Sequence, residues 1–565
     1  MPADASVDVP DAVPVAVPVA VPVAVPDDVP VVDATLLPRL RADLAGAGFT
    51  VDGVAERLGP VASAALHREQ PLPALLATAA APRVTPTSAP SERPASPAAR
   101  ATPASPSSEH PAQGATPDAC GTLVRLFTLG RPVATDRLAD ALPTLGVDGA
   151  VALGLVRVDA AAGVAHATCD LRPYGDDAHD WWVASDLSEL ATGGPLRADH
   201  VLGIGGASTT LASWTIRRRA GRALDLGTGC GVQSLHLTSH AGSITATDIS
   251  ERALAYARFN AALADAHLDT VAGDLLDPVA GQSFSLVVSN PPFVITPRTE
   301  DVPLYEYRDG GRAGDAVVRT LVREVGRVLE PGGDAQFLGN WEVPEGRTWR
   351  DVWGEWLDEQ ARDGVPLDAW VVQRESQDPA EYAELWSRDG GAVPGSEAHS
   401  RMYAAWLRDF AARRVEAVGF GVVTLQRPAT DRPTWRSLDE AMGPVAAPMG
   451  PTVEAGLRAR TWLAEHPGDG VLDVAWSCAP DVTEERHGRP GASDPAVILV
   501  RQGGGLRRVV RADTLLAAYL GVADGELTAR VALEAIASLL DADPDAVRAE
   551  VVPAIRDLVA DGLLV

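Results

Sequence analysis

A short apolar run from Arg222 to Leu226 breaks into three glycines, Gly227, Gly229 and Gly231, and resumes as a helical pattern beginning at Val232. Strand, tight turn and helix in that order are the unit from which parallel α/β sheets are built. Glycines in such a turn let backbone N–H groups come close to a ligand, and the helix N-terminus behind them favours a carboxylate or phosphate. The unit then repeats. Ser243 to Thr247 reads as a second strand ending in Asp248, a carboxylate able to accept hydrogen bonds from both hydroxyls of a ribose. Thr270 to Ala272 reads as a third strand, running into Gly273, Asp274 and Leu275. Leu286 to Ser289 is a fourth, nearly all apolar as a strand covered on both faces should be. Asn290, Pro291, Pro292 and Phe293 follow at its carboxyl end, the edge at which open α/β sheets bind ligands.

Those four residues have a mechanical logic. The Asn290 side-chain oxygen and the Pro291 carbonyl can accept the two N–H bonds of a planar amide or amino group, and Phe293 can stack on its plane. The prolines hold the turn stiff, so little ordering entropy remains to be lost when a substrate arrives. An isolated Asn-Pro-Pro is an ordinary turn. Its place after the glycine turn and the acid-ended strands makes it a candidate catalytic motif. A dinucleotide fingerprint G-x-G-x-x-G would need glycine where Val232 stands, which disfavours NAD. The chain contains no lysine, which excludes a lysine base and points to GC-rich coding. Cys230 reads as a packed residue, since no histidine or basic neighbour accompanies it. Asp225 reads either as a ligand contact or as a brace for the loop.

Asp225 to Gly231 resembles the S-adenosylmethionine (SAM) loop of class I methyltransferases, and Asn-Pro-Pro-Phe resembles the acceptor motif of members that methylate planar nitrogens. The resemblance spans residues 200 to 345 and 410 to 428. It is nearest to the release-factor glutamine methyltransferases, with Asp309-Gly310-Gly311, Gly314-Asp315 and Pro331-Gly332-Gly333 following in order. Those proteins commonly carry Tyr where Phe293 stands, and Phe there is shared with ribosomal-RNA guanine methyltransferases. The resemblance implies a Rossmann-like, seven-stranded α/β core and a cytoplasmic SAM-dependent N-methyltransferase. Its acceptor would be a glutamine in a translation factor or ribosomal protein, or alternatively an RNA or DNA base, at guanine N2 or adenine N6. A scaffold that binds SAM without turnover is a further alternative. The implied catalytic residues are Asn290, Pro291, Pro292 and Phe293. The implied cofactor contacts are Asp225, Gly227, Thr228, Gly229, Gly231, Asp248, Ile249, Asp274 at the adenine amino group, Leu275 and Asn290. Ser208 to Thr210, read as a helix N-cap, are second-tier cofactor candidates.

At 565 residues the chain needs several units. Residues 1–33 form a Val/Pro/Ala tail in which proline forbids helix, 34–75 a helical segment and 76–118 a Pro/Ala/Ser linker. Residues 119–200 read as a winged-helix-like domain, with its third helix from Val147 to Leu155, and 201–430 as the methyltransferase domain. Residues 431–565 read as a small α+β, winged-helix-like C-terminal domain. Four scattered cysteines without C-x-x-C or H-E-x-x-H spacing support neither a disulfide framework nor a metal site. The tail's acidic flanks and prolines argue against a signal peptide or membrane span. A net charge of -28 weighs against broad adhesion to nucleic acid. Arg501, Arg507, Arg508 and Arg511 are the evident exception, a candidate phosphate-contacting wing.

Overall fold

The computed structural model describes residues 28–79, 118–192, 196–299, 302, 305–306, 308–389, 395–491 and 494–565. The Val/Pro/Ala tail and nearly all of the 76–118 linker lie outside them. The strand-like runs assemble into one sheet: β1 (Ala220–Leu226), β2 (Ala241–Asp248), β3 (Asp269–Ala272), β4 (Phe284–Ser289), β5 (Leu329–Pro344), β6 (Asp368–Gln377), β7 (Val415–Gln426) and β8 (Arg436–Glu440). Their order is β8-β6-β7-β5-β4-β1-β2-β3, and only β7 runs against its neighbours, β5 and β6. The first four are the strands expected one by one, and the first seven match in number the core that the resemblance implies. The eighth comes from residues read as the start of the C-terminal domain and pairs parallel with β6, from Ala369–Arg436 to Gln373–Glu440. Arg-Ser-Leu-Asp-Glu offers one apolar residue and no alternation, so its pairing is invisible to pattern.

β4 buries Phe284, Leu286, Val287 and Val288, as a strand covered by helices on both faces must. The helix Ala316–Glu324 gives way to a 3-10 turn, Val325–Val328. Pro331-Gly332-Gly333 does not separate that helix from a new strand. It forms an irregularity inside β5, whose register with β4 shifts between Leu329 and Asp334. Trp341 of β5 is fully buried opposite Gly419 of β7. A Cβ at Gly419 would lie 2.1 Å from the indole nitrogen, so only glycine admits the ring.

On the β3 side, helices Leu37–Gly46, Val51–Leu66 and Leu72–Ala77 lead to Ala119–Leu123, which continues as a π-helical segment, Val124–Thr128. Strand Val133–Ala134, helices Thr135–Ala141 and Gly146–Ala152, and strands Val156–Asp159 and Val164–Ala167 complete a winged-helix arrangement in which the last strand lies between the other two. The third helix stops short of Leu155 because Gly154 takes φ +71. Val164 to Arg172 is not one strand but divides at Thr168-Cys169. Asp170–Gly175 pairs instead with Asp180–Ser185. This hairpin is tied to the core through Asn260, whose amide bonds both the N–H and the carbonyl of Ala184 at 2.7 and 2.8 Å and the Cys230 carbonyl at 2.8 Å. Asp186 receives Arg252 and the Tyr256 hydroxyl, and Arg252 also reaches Asp28.

At the β8 edge, helix Gly450–Glu465, a three-stranded antiparallel sheet (Val482–His487, Val497–Gln502, Val509–Ala512) and helices Thr514–Leu520, Ala529–Leu539 and Pro544–Ala560 make the small α+β unit. Arg460 lies 3.9 Å from the Trp370 ring and pairs with Asp439 and Asp561. Arg508 pairs with the same two carboxylates, and Arg501 with Glu485 at 2.6 Å. Two of the four wing arginines are therefore committed to internal ion pairs.

Candidate functional site

Register aligns the candidate residues. Leu226 of β1 pairs with Thr247 of β2 and with Ser289 of β4, so Gly227, Asp248 and Asn290 leave the sheet side by side. Asp248 in turn pairs with Ala272, which delivers Gly273 and Asp274 to the same edge. Adjacent strands are about 4.8 Å apart, so four neighbours span a nucleoside-sized ligand.

A cavity of about 400 Å³ opens there, lined by Gly227, Thr228, Gly229, Asp248, Ile249, Asp274, Leu275, Asn290, Pro291 and Pro292 among the expected residues. Gly229 N–H donates to Asp248 Oδ2 and Ser250 N–H to Oδ1, each at 2.9 Å. Burial pushes the Asp248 carboxyl upward. Asp274 sits at the rim, paired with Arg312 at 3.0 Å. Ser208 also lines the cavity, but the Ser/Thr cluster is no cap: Gly205 holds the N-cap position of helix Gly206–Trp214 without a side-chain bond.

Asp225, Gly231 and Phe293 do not line this cavity. Asp225 is fully buried and braces the turn. Its Oδ2 accepts from Thr228 Oγ1 at 2.6 Å, Ser234 N–H at 2.8 Å and Ser234 Oγ at 2.7 Å. Its Oδ1 has no partner, and burial pushes its carboxyl up to about 6. Gly231, at φ +90, faces the helix Glu251–Leu263, where a Cβ would come 3.2 Å from Ala257 Cα. Cys230 does line the cavity, with its thiol pushed up to about 12 by burial, unsuited to nucleophilic work.

A second cavity of about 430 Å³ shares Asn290, Pro291 and Pro292 with the first and adds Phe293, Arg308 and Trp386. Its far wall comes from the N-terminal units, including Leu66, Thr128, Leu129, Asp170 and Arg172. The Asn290 Oδ1 is buried and has no hydrogen-bond partner. The chain after the motif is fixed by the helices between β6 and β7. Tyr382 hydroxyl accepts Ile295 N–H at 2.8 Å and Asn340 Nδ2 at 2.9 Å, and Trp406 Nε1 donates to the Ile295 carbonyl at 2.9 Å. Tyr305 is buried beneath the Arg308 guanidinium, and Tyr307 lies outside the described residues. Trp341 and Glu342 line neither cavity, Glu342 being paired with Arg413.

Sequence reasoning missed His200, Leu202 and Gly203, which border both cavities together with Asn290 to Pro292, and Val201, which borders the first. It also missed Arg312, Thr128 and Trp386. Arg312 could have been found from its place directly after Asp309-Gly310-Gly311. The segment 200–203 has no periodicity and carries no such signal. Among the described residues no group of three or more His, Cys, Asp or Glu side chains could hold a metal ion, and no helix is long and apolar enough to cross a membrane.

Reversed β7 beside β5, the glycine turn after β1, the acid ending β2 and Asn-Pro-Pro-Phe after β4 define a class I methyltransferase fold. Residues 203–357 match the family model described as the methyltransferase small domain. Residues 46–167 match a domain of unknown function, DUF7059. The chain is 40% identical over 124 residues to the release factor glutamine methyltransferase of Deinococcus radiodurans, covering 20% of this chain and 43% of that protein. It is 27% identical over 250 residues to the ribosomal RNA small subunit methyltransferase C of Cronobacter sakazakii, covering 42% and 67% respectively. The chain thus spans less than half the length of the first of these relatives. Among solved structures, the T. thermophilus 16S rRNA N2 methyltransferase RsmC, in complex with AdoMet and guanosine, aligns with a TM-score of 0.24 at 15% identity, over 40% of this chain and 58% of that one.

Proposed function

We propose that this chain is a cytoplasmic SAM-dependent N-methyltransferase acting on a planar nitrogen, and that the acceptor is a glutamine side chain of a protein. The observation that carries the reading is the buried, partnerless Asn290 Oδ1 in the wall common to both cavities. An acceptor atom withdrawn from water without a partner costs about 1 to 3 kcal/mol, a cost relieved when a substrate N–H arrives. The first cavity fits the cofactor. The glycine turn suits its amino-acid end by leaving room for close approach, although the Thr228 and Gly229 N–H groups are already given to Thr247 and Asp248. Asp248 suits its ribose and Asp274 its adenine amino group, while Asp225 stiffens the turn from beneath. When bound, SAM supplies an electrophilic methyl group.

Asn290 Oδ1 and the Pro291 carbonyl accept the two N–H bonds of the acceptor, which fixes its plane and raises electron density on nitrogen. Phe293 offers a face for that plane. No strong base is required, since the proton can leave after transfer. The unsatisfied Asn290 oxygen argues against a non-catalytic scaffold, in which nothing would offset its cost. The alternative acceptor, an RNA base amine, draws on Phe293 and on the rRNA methyltransferase relatives. Incubation with labelled SAM and fractionated cell extract separates the two. Label removed by protease and retained through ribonuclease is expected, and the reverse would make base methylation the reading.

A further inference from the structure

Resting on that function, the polar atoms around the second cavity carry a narrower inference. Thr128 closes the π-helical segment Val124–Thr128, and although it is 8% exposed its hydroxyl has no hydrogen-bond partner. Three other buried threonines, at helix ends, donate one turn back: Thr78 to Ala74, Thr122 to Asp118 and Thr215 to Leu211, each at 2.8 Å; Thr247, on strand β2, is without a partner as Thr128 is. The π register leaves Thr128 without such a bond, and π segments recur where a helix is adapted to a ligand.

Trp386, on the helix Pro379–Asp389, has a buried indole N–H that is likewise without a partner. Buried indoles usually find one. Here Trp341 donates to Gln373, Trp370 to Asp439, Trp406 to Ile295 and Trp476 to Val471, at 2.7 to 3.1 Å. Trp353, also partnerless, lies in the aromatic core and lines neither cavity. The second cavity therefore gathers two unpaired donors, Thr128 and Trp386, and one unpaired acceptor, Asn290.

Its charges leave no positive surplus, Glu69 also lying in its lining. Arg172 bonds Asp170 through two nitrogens, Asp186 is held by Arg252, and Arg308 Nε lies 3.4 Å from Asp309. Phosphate would find no surplus of positive charge there, whereas a neutral group with one carbonyl and one NH₂ would find a donor and an acceptor. We propose that the second cavity binds a neutral primary carboxamide, with Thr128 and Trp386 as the specificity-determining donors to its carbonyl oxygen. The N-terminal units then contribute a direct substrate contact, beyond framing the core.

The test uses the full chain, labelled with nitrogen-15 and saturated with SAM. It is titrated with N-acetylglutamine N-methylamide, with the acetylmethionine analogue and guanosine as controls. The Trp386 indole resonance, assigned by its loss in Trp386→Phe, is expected to shift with the glutamine probe alone. Thr128→Val and Trp386→Phe should each weaken probe binding about tenfold, the scale of one lost hydrogen bond, with SAM affinity and thermal midpoint unchanged. No shift with the glutamine probe, or a shift with guanosine instead, overturns the proposal. Unchanged probe binding in both variants, when Asn290→Ala still lowers turnover, sinks this inference and spares the methyltransferase reading. Failure of the wild type to bind SAM sinks that reading itself.

Discussion

Asp225 and Asp248 stand on neighbouring strands of one sheet and do different work. Asp248 meets the first cavity, so Asp248→Ala should weaken SAM binding by about 1 to 3 kcal/mol by calorimetry, and an unchanged dissociation constant in a folded variant would remove it from the cofactor site. Asp225 meets only the loop. Its carboxyl, pushed up to about 6 from 3.8, keeps its proton in the folded chain over a range where the unfolded chain releases it. Stability contributed by this group is therefore present below about pH 4 and is lost as pH rises through about 6. In Asp225→Asn this pH dependence should flatten by about 1 kcal/mol per pH unit within that window, read from denaturant unfolding at several pH values. A difference from wild type that does not vary with pH would count against it. For Asn290→Ala the two readouts should separate: SAM affinity nearly intact, turnover lower by about 100-fold. Equal turnover on the true substrate would return the scaffold reading to contention.

At the scale of elements, the turn after β1 is the part most easily read from sequence, and its last glycine tolerates little change. Gly231→Ala would place a Cβ 3.2 Å from Ala257 Cα at φ +90. A loss of about 1 to 3 kcal/mol in stability is expected, measured by thermal unfolding, and a neutral effect would show that the helix Glu251–Leu263 can shift. The central strands were legible because apolar runs ending in Gly, Asp or Asn announce both a buried strand and its exit. β8 was not, because an edge strand held mainly by backbone pairing needs no apolar alternation. Thr128 was not, because the residues of a π segment look like those of any helix. Asp225 and Gly231 were identified as important, but sequence could not tell support beneath the cavity from contact within it. That distinction depends on which side of the turn faces the helix behind it, and the side is set by packing.

Taken whole, the molecule is strongly acidic, and two of its four wing arginines are already paired internally. With Arg507 and Arg511 both replaced by Ala, methyl transfer should be largely unchanged and should fall only modestly from low to high salt. An RNA acceptor would instead lose about tenfold or more in affinity over that range, since released counterions would drive binding. The contact between the N-terminal units and the sheet was not legible from composition. One buried cluster runs from Leu37 through Phe127 and Trp181 to Tyr256 and Phe259, joining the N-terminal units to the sheet's helices. That contact brings His200, Leu202 and Gly203 against both cavities at once. A strap common to both cavities is a route by which filling one can bear on the other, and thermodynamic linkage requires any such dependence to be mutual. Under the proposed function, whatever factor SAM contributes to acceptor affinity, greater or less than one, the acceptor must contribute to SAM affinity, so titrating either ligand in the presence of the other reads the same number.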